Sequence, residues 1–370
     1  GKHIFVSGNY AYVVGNTDTT GTGCSSTDSS LCEFFIFDIS TSSPTFVGGS
    51  DLGNSGNGVY VSGRYAYVTT DFLAGAPAEF KIFDISNPSN PIEIGGVNMV
   101  TQGYGIHVSG RYAYIVTGVV AGNEFKIFDV SNPSSPIEVG GVELGAAGFS
   151  VFVSGRYAYV GKQTGGVTEE DFIIYDISNP ASIATTSAIE FGSAHGESVY
   201  VSGRYAYVGK QDGGIDGDFI IYDISNPASV ATTSSMNFVG TVNSVYVSGR
   251  YAYITTANIA GNEFKILDVS NPVNPIEVGG SNIAEGFSVF VSGKRAYVGT
   301  GAVAGNEFKI FSLNGLETTS ALVHSLEAGN LQVRNDIIAQ GQLQIGGSIS
   351  VGSGGIFSAG PISVSIASST

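Results

Sequence analysis

Apolar positions along this chain come in short alternating runs, broken at regular intervals by Gly, Pro, Asn and Ser. Residues 106–142 show the order. Ile106 and Val108 share one face of a first strand over residues 106–109. Gly110-Arg111 then makes a two-residue turn, and Gly at the first central position suits a type II′ hairpin. The second strand, Tyr112–Thr117, puts Tyr112 and Tyr114 on one face and Ala113 and Ile115 on the other. A side chain as small as Ala lets a neighbouring sheet come close. A loop over residues 118–123 leads to a third strand at 124–130. Ser131-Asn132-Pro133-Ser134-Ser135-Pro136 must turn, because proline brings no backbone donor to a central strand. Ile137–Val142 is the outermost strand.

This unit recurs. Val-Ser-Gly-Arg-Tyr-Ala-Tyr-Val at residues 61–68 returns in near-identical form at 108–115, 153–160, 201–208 and 247–254. Looser copies stand at 6–13, with Asn9 for Arg, and at 291–298, with Lys294-Arg295 for Arg-Tyr. The hairpin glycines, Gly8, Gly63, Gly110, Gly155, Gly203, Gly249 and Gly293, are 44 to 55 residues apart. A period of this length marks a repeat architecture, and no single repeat buries both faces of its own sheet. Four antiparallel strands repeated seven times predict an all-β, seven-bladed β-propeller over residues 1–326, with repeats beginning near 3, 58, 105, 150, 198, 244 and 288. The main competitor is a right-handed solenoid of two-strand units. Short hairpin turns and four strands per period favour the propeller.

The third strands with their turns, such as Phe80-Lys81-Ile82-Phe83-Asp84-Ile85-Ser86-Asn87-Pro88, and the Val-Ser-Gly-Arg-Tyr-Ala-Tyr-Val hairpins carry a resemblance. From residue 1 to about 320 the chain resembles the LVIVD-repeat family of bacterial and archaeal β-propellers. The resemblance implies the fold and an exported or surface-attached protein. It implies no particular activity, since function lives in sites grafted on folds.

The last repeat departs from the pattern. Ser312 stands where the others have Asp38, Asp84, Asp129, Asp176, Asp223 and Asp268. Its fourth strand is expected at residues 318–324, so each blade is complete from its own repeat. Closure then rests on packing between blades 1 and 7. Beyond Leu326 the beat shortens to six residues, with Leu331, Val333, Ile337, Leu343, Ile345, Ile349 and Val351 as its apolar positions. The tail, 327–370, reads as β-helix or fibre-shaft repeats, too few to bury a core alone. It is expected to assemble with copies of itself or dock on a neighbouring subunit; the alternative is that it lies along its own propeller.

Charge narrows the partners. Fifteen Lys and Arg against 31 Asp and Glu leave a net charge of −16, which argues against nucleic acid and favours solubility and divalent cations. No run is apolar enough to span a membrane. Cys24 and Cys32 lie in a Gly/Ser/Thr-rich insert of the first repeat. A disulfide between them implies an oxidising, extracellular setting, while the alternative is two free thiols. Gly1 lies close to the first strand, so a leader removed upstream is the expectation.

Candidate chemistry is sparse. Asp212, Asp216 and Asp218, spaced by glycines, offer oxygens for Ca²⁺, without the full calcium-loop pattern. The alternative is an acidic, solvated hairpin. His195, Glu197 and Glu285 are placed to face one mouth of the central channel as ligand candidates. The repeated Asp reads as a turn-fixing residue, and the repeated Arg after the hairpin glycine as a solvated turn residue or a partner for a nearby carboxylate. No Ser/His/Asp order, paired-His metal motif or nucleophile elbow is present, so no catalytic residue is assigned and no cofactor is required. The favoured reading is a non-enzymatic secreted or cell-surface structural protein that self-assembles through its tail into a fibre, sheath or surface layer. The second is an adhesive or lectin-like head that binds glycans or another cell, calcium-dependent if the acidic loop holds the ion. A propeller hydrolase using His195 or Glu197 is the third.

Overall fold

A computed structural model describes residues 2–16, 24, 32–41, 43–74, 78–163, 170–192, 194–211, 217–238, 240–257, 261–301 and 308–313. The expected strand at 318–324, the tail 327–370 with its seven apolar positions, and Asp212 and Asp216 lie outside the described residues. The chain divides into two units, Gly1–Leu316 and Glu317–Thr370. The first is a seven-bladed propeller.

Seven antiparallel sheets follow one another in chain order, and there is no helix among the described residues. Blade 1 is His3–Ser7, Tyr10–Val14, Phe34–Asp38 and Thr45–Ser50, paired in that order. Blade 3 repeats it with Gly103–Ser109, Tyr112–Thr117, Phe125–Asp129 and Ile137–Val142. In blade 7 three strands are described, Gly286–Ser292, Arg295–Thr300 and Phe308–Ser312. The first strands stand side by side around the axis, and Gly286–Ser292 neighbours His3–Ser7 to close the circle.

The hairpins form because Gly is where the backbone needs it. Gly110 sits at φ 59°, while Arg111 is not left-handed, as a II′ turn requires. Tyr112 pairs with Ser109 across the turn. The first strand of blade 3 begins earlier than its apolar alternation suggests, at Gly103 rather than 106, because a bulge opposite Val116 carries it further. Glycine permits the close approach there: a Cβ on Gly105 would lie 2.9 Å from the Phe149 carbonyl oxygen of blade 4.

The core is a set of layers, each between two neighbouring blades. Between blades 2 and 3, Tyr67, Phe80, Ile82 and Met99 meet Ile106, Val108, Ala113, Ile115 and Phe128. Ala113 is completely buried, so a larger side chain would push the sheets apart. The Tyr-Ala-Tyr tyrosines at Tyr67 and Tyr114 are buried in these layers, between the blades, as their period implies.

Closure needs no exchanged strand among the described residues. Ile4, Val6, Ala11, Val13 and Ile39 of blade 1 form one layer with Tyr297 of blade 7, flanked by Phe308 and Ile310. Arg295 adds a polar latch. Its guanidinium donates to the carbonyls of Ile39 (2.8 Å) and Thr41 (2.7 Å). In five other blades an arginine stays at home: Arg64 donates to Asp84, Arg111 to Asp129, Arg156 to Asp176, Arg204 to Asp223 and Arg250 to Asp268. Each of these aspartates also fixes the next turn by accepting a serine N–H, as Asp84 does from Ser86 at 2.9 Å. Hydrogen bonds from the arginine and from the following serine hold these Asp carboxyls well below the usual carboxylate range, the serine contributing most at Asp176.

Candidate functional site

Three residues before each hairpin glycine, the first strand presents a side chain to the axis. In chain order these are Phe5, Tyr60, His107, Phe152, Tyr200, Tyr246 and Phe290. They form an unbroken circle. Successive ring centroids are 4.7 Å (Phe5–Tyr60), 4.9 Å (Tyr60–His107), 4.8 Å (His107–Phe152), 4.8 Å (Phe152–Tyr200), 4.9 Å (Tyr200–Tyr246), 4.7 Å (Tyr246–Phe290) and 4.9 Å (Phe290–Phe5). All are tilted or edge-on, the arrangement the aromatic quadrupole favours. Burial pushes the Tyr60, Tyr200 and Tyr246 hydroxyls up and pulls His107 down to about 4, so His107 is neutral at ordinary pH.

Against one face of this circle lies a cavity of about 290 Å³, walled by His3, Gly105, Ser150, Ser198 and Ser244. These side chains also tie blade to blade. The hydroxyl oxygens of Ser150, Ser198 and Ser244 accept from the N–H of Val199 (3.0 Å), Val245 (3.0 Å) and Val289 (3.2 Å). Each hydroxyl keeps its own hydrogen to donate. His3 Nδ1 accepts from Val59 N at 3.4 Å, and burial pulls its pKa to about 4.

Further along the same strands a second cavity, about 320 Å³, is lined by Lys2, Asn16, Asn57, Tyr104, Glu197, Asn243 and Phe287. On one side its polar groups are knitted together. Lys2 Nζ donates to Asn57 Oδ1 (2.9 Å) and lies 3.7 Å from Asp71; Asn57 Nδ2 donates to Asp71 Oδ1 (2.7 Å). Asn243 Nδ2 donates to the Gly286 carbonyl at 2.7 Å. Glu197 is different. Its carboxylate is 23% exposed, and desolvation pushes its pKa up to about 7. The nearest basic group is His195, with Nδ1 3.9 Å from Glu197 Oε1. Burial lowers the His195 pKa, so near pH 7 its imidazole is neutral while Glu197 is passing from acid to carboxylate.

Of the three channel-mouth candidates, the structure brings His195 and Glu197 together. Glu285 takes in blade 7 the place of His195, and neither of these two lines a cavity; the Glu285 backbone accepts from Gly301 N and its carboxylate lies beside Gly301. Asp218 belongs to the fold rather than to an open loop. It is completely buried, and Oδ2 accepts from Phe238 N (2.9 Å) and Gly240 N (3.4 Å). The same clamp recurs at Glu33 on Leu52 N, Glu79 on Met99 N, Glu124 on Leu144 N, Asp171 on Phe191 N and Glu263 on Ile283 N. Among the described residues no three His, Cys, Asp or Glu side chains cluster as metal ligands. Cys24 and Cys32 are joined as a disulfide, and the bond lies against Gly49 of the outermost strand of blade 1.

Sequence reasoning had passed over the aromatic circle and the buried clamps. Both carry a signal: a fixed offset before the hairpin glycine, and, in six blades, an acid just before the third strand, 19 or 20 residues before its main amide partner.

The LVIVD repeat pattern matches residues 2–18, 53–99, 103–143, 147–188, 192–238 and 239–282, more than half of the chain. The chain belongs to the LVIVD repeat family. No curated protein matches this LVIVD propeller. Among solved structures it is similar to hydrazine synthase of Kuenenia stuttgartiensis, with a TM-score of 0.59 and 16% identity over 84% of this chain and 95% of that one. It is similar also to a protein from Lactobacillus plantarum (TM-score 0.61, 9% identity, 78% and 86% covered) and to the computationally designed Ika8 protein (TM-score 0.55, 11% identity, 84% and 83% covered). At such identities these likenesses show the fold alone.

Proposed function

We propose that this LVIVD propeller is a non-enzymatic binding protein of the cell surface or the extracellular space, and that its ligand enters the axial funnel. One observation carries the reading: the seven-membered aromatic circle and the serine hydroxyls beside it line one cavity on the propeller axis. Concave, partly apolar sites with a few convergent polar groups are where small ligands bind. The disulfide supports an oxidising compartment.

The test fills the mouth. Asn243 stands where blades 4 and 7 carry Phe149 and Phe287, so the fold accommodates phenylalanine at this place. Small molecules found to bind the full chain by ligand-observed NMR are expected to lose binding in Asn243→Phe, with folding retained. Ligands that bind the variant as well as the parent would place recognition elsewhere. Self-assembly through 327–370 is the second reading. It is favoured by the six-residue apolar beat of Leu331, Val333, Ile337, Leu343, Ile345, Ile349 and Val351.

A further inference from the structure

The mouth positions of the funnel compare the blades directly, because each is the same place in the repeat. Asn57, Tyr104, Phe149, Asn243 and Phe287 are uncharged, blade 1 has Lys2, and blade 5 alone has an anion, Glu197. In a chain whose repeats are otherwise so alike, an anion at one of these places needs a physical reason. The local fold supplies none. Neither oxygen of Glu197 takes part in a backbone clamp of the kind that occupies Glu124 or Asp218. Its nearest basic neighbour, His195, is beyond hydrogen-bond distance. The one ammonium lining the same cavity, Lys2, is already bound to Asn57 and close to Asp71. Holding a partly desolvated carboxylate without a countercharge costs stability, unless a cation from solution completes it.

We propose that the mouth of the funnel binds a small organic cation, a methylated or primary ammonium, with Glu197 as its countercharge and the rings of Tyr104 and Phe287 as its apolar walls. Both rings line the cavity that Glu197 lines. Aromatic faces attract alkylammonium ions through the ring quadrupole, and more strongly where water is excluded. A hard metal ion fits poorly. Calcium takes six to eight oxygens, and the mouth offers one carboxylate beside amides that already bond to their neighbours. A zwitterion fits poorly too, since the Lys2 charge is already answered. The net charge of −16 concentrates cations around the protein.

The inference rests on the axial-funnel reading, and its test separates the two. Calorimetric titration of the full chain at about pH 8 uses choline chloride as the probe, beside its uncharged isostere with carbon in place of the quaternary nitrogen. Choline is expected to bind about tenfold or more tightly than the isostere, and Glu197→Gln to remove that advantage. Glutamine is safe for folding, because asparagines occupy the same place in blades 2 and 6. The titratable and charged groups at this mouth, besides Glu197, are His195, Tyr104 and Lys2 with its neighbour Asp71. Affinity is expected to fall as pH drops through about 7, as Glu197 takes up a proton, and to do so much less in the variant. No binding of choline, equal binding of the isostere, or wild-type affinity in Glu197→Gln would each overturn the proposal. If choline fails while other ligands still lose binding in Asn243→Phe, the funnel reading stands and the cation is wrong. If no ligand depends on Asn243, the funnel itself is the wrong place.

Discussion

At the scale of single residues, His107 is the odd member of the aromatic circle. Blades 1, 4 and 7 place Phe5, Phe152 and Phe290 at the same position, and blades 2, 5 and 6 place tyrosines. The histidine packs between Tyr60 and Phe152 as any ring would, yet it titrates. Its folded pKa is about 4, below the unfolded value of 6.5. Between those values the unfolded chain binds more protons, so His107 contributes stability near neutrality that is lost as pH falls from about 6.5 to 4. His3 acts in the same sense, with the same window. Glu197 opposes them: its folded pKa is raised, so its ionisation lowers stability as pH rises through about 7. The variant His107→Phe isolates one contribution. Its stability relative to the parent is expected to grow on acidification, by roughly 1–3 kcal/mol between pH 7 and pH 4. Urea unfolding at the two pH values measures it; a constant difference would mean that His107 is not buried neutral.

At the scale of the element, a short connection joins the outermost strand of one blade to the first strand of the next. This stretch must cross from rim to axis without a sheet partner. Here a buried carboxylate holds it. Glu124 Oε2 accepts from Leu144 N (2.7 Å) and Gly145 N (3.3 Å), in a site 1% exposed. Charge-assisted bonds to buried amides are stronger than neutral ones, and an orphaned buried N–H is costly. Glu124→Ala is therefore expected to cost about 2–4 kcal/mol, and Glu124→Gln, which keeps an acceptor oxygen, less than half of that. Urea midpoints at unchanged slope would show the difference. By contrast the exposed Arg–Asp pairs on the hairpins shape turns and add little stability individually. The Asp was legible as a turn residue from its place between strand and proline, and the Arg from its place after the hairpin glycine. The clamp acid was not, because an acid at a strand head reads as solvated until the next blade covers it.

At the scale of the whole molecule, the described residues that join blade 7 to blade 1 all precede the tail. Blade 1 brings all four of its strands, and the seam with blade 7 combines the layer of Ile4, Val6, Ile39 and Tyr297 with the Arg295 latch. A chain ending near Leu326 is therefore expected to remain a single closed ring in negative-stain electron micrographs. If residues 327–370 drive assembly, the intact chain forms fibres or sheets beside it. Isolated rings from both would remove self-assembly through the tail. A truncated chain that aggregates or fails to form rings would show that the seam described here is insufficient for closure.

Taken by itself, the amino-acid sequence determined the number of blades, the order of the described strands and the II′ hairpins. Those features are set by backbone chemistry repeated inside every unit: Gly where φ is positive, Pro where a strand must stop, alternation where one face is buried. Only the tertiary structure decided that side chains from seven separate repeats meet in one circle. It also decided that His195 meets Glu197 while Glu285 does not, and that Asp218 faces backbone amides rather than solvent. Rotation about an axis converts equal positions in sequence into neighbours in space. The charge and hydration of each group then depend on what the adjoining blades place beside it, which no single repeat contains.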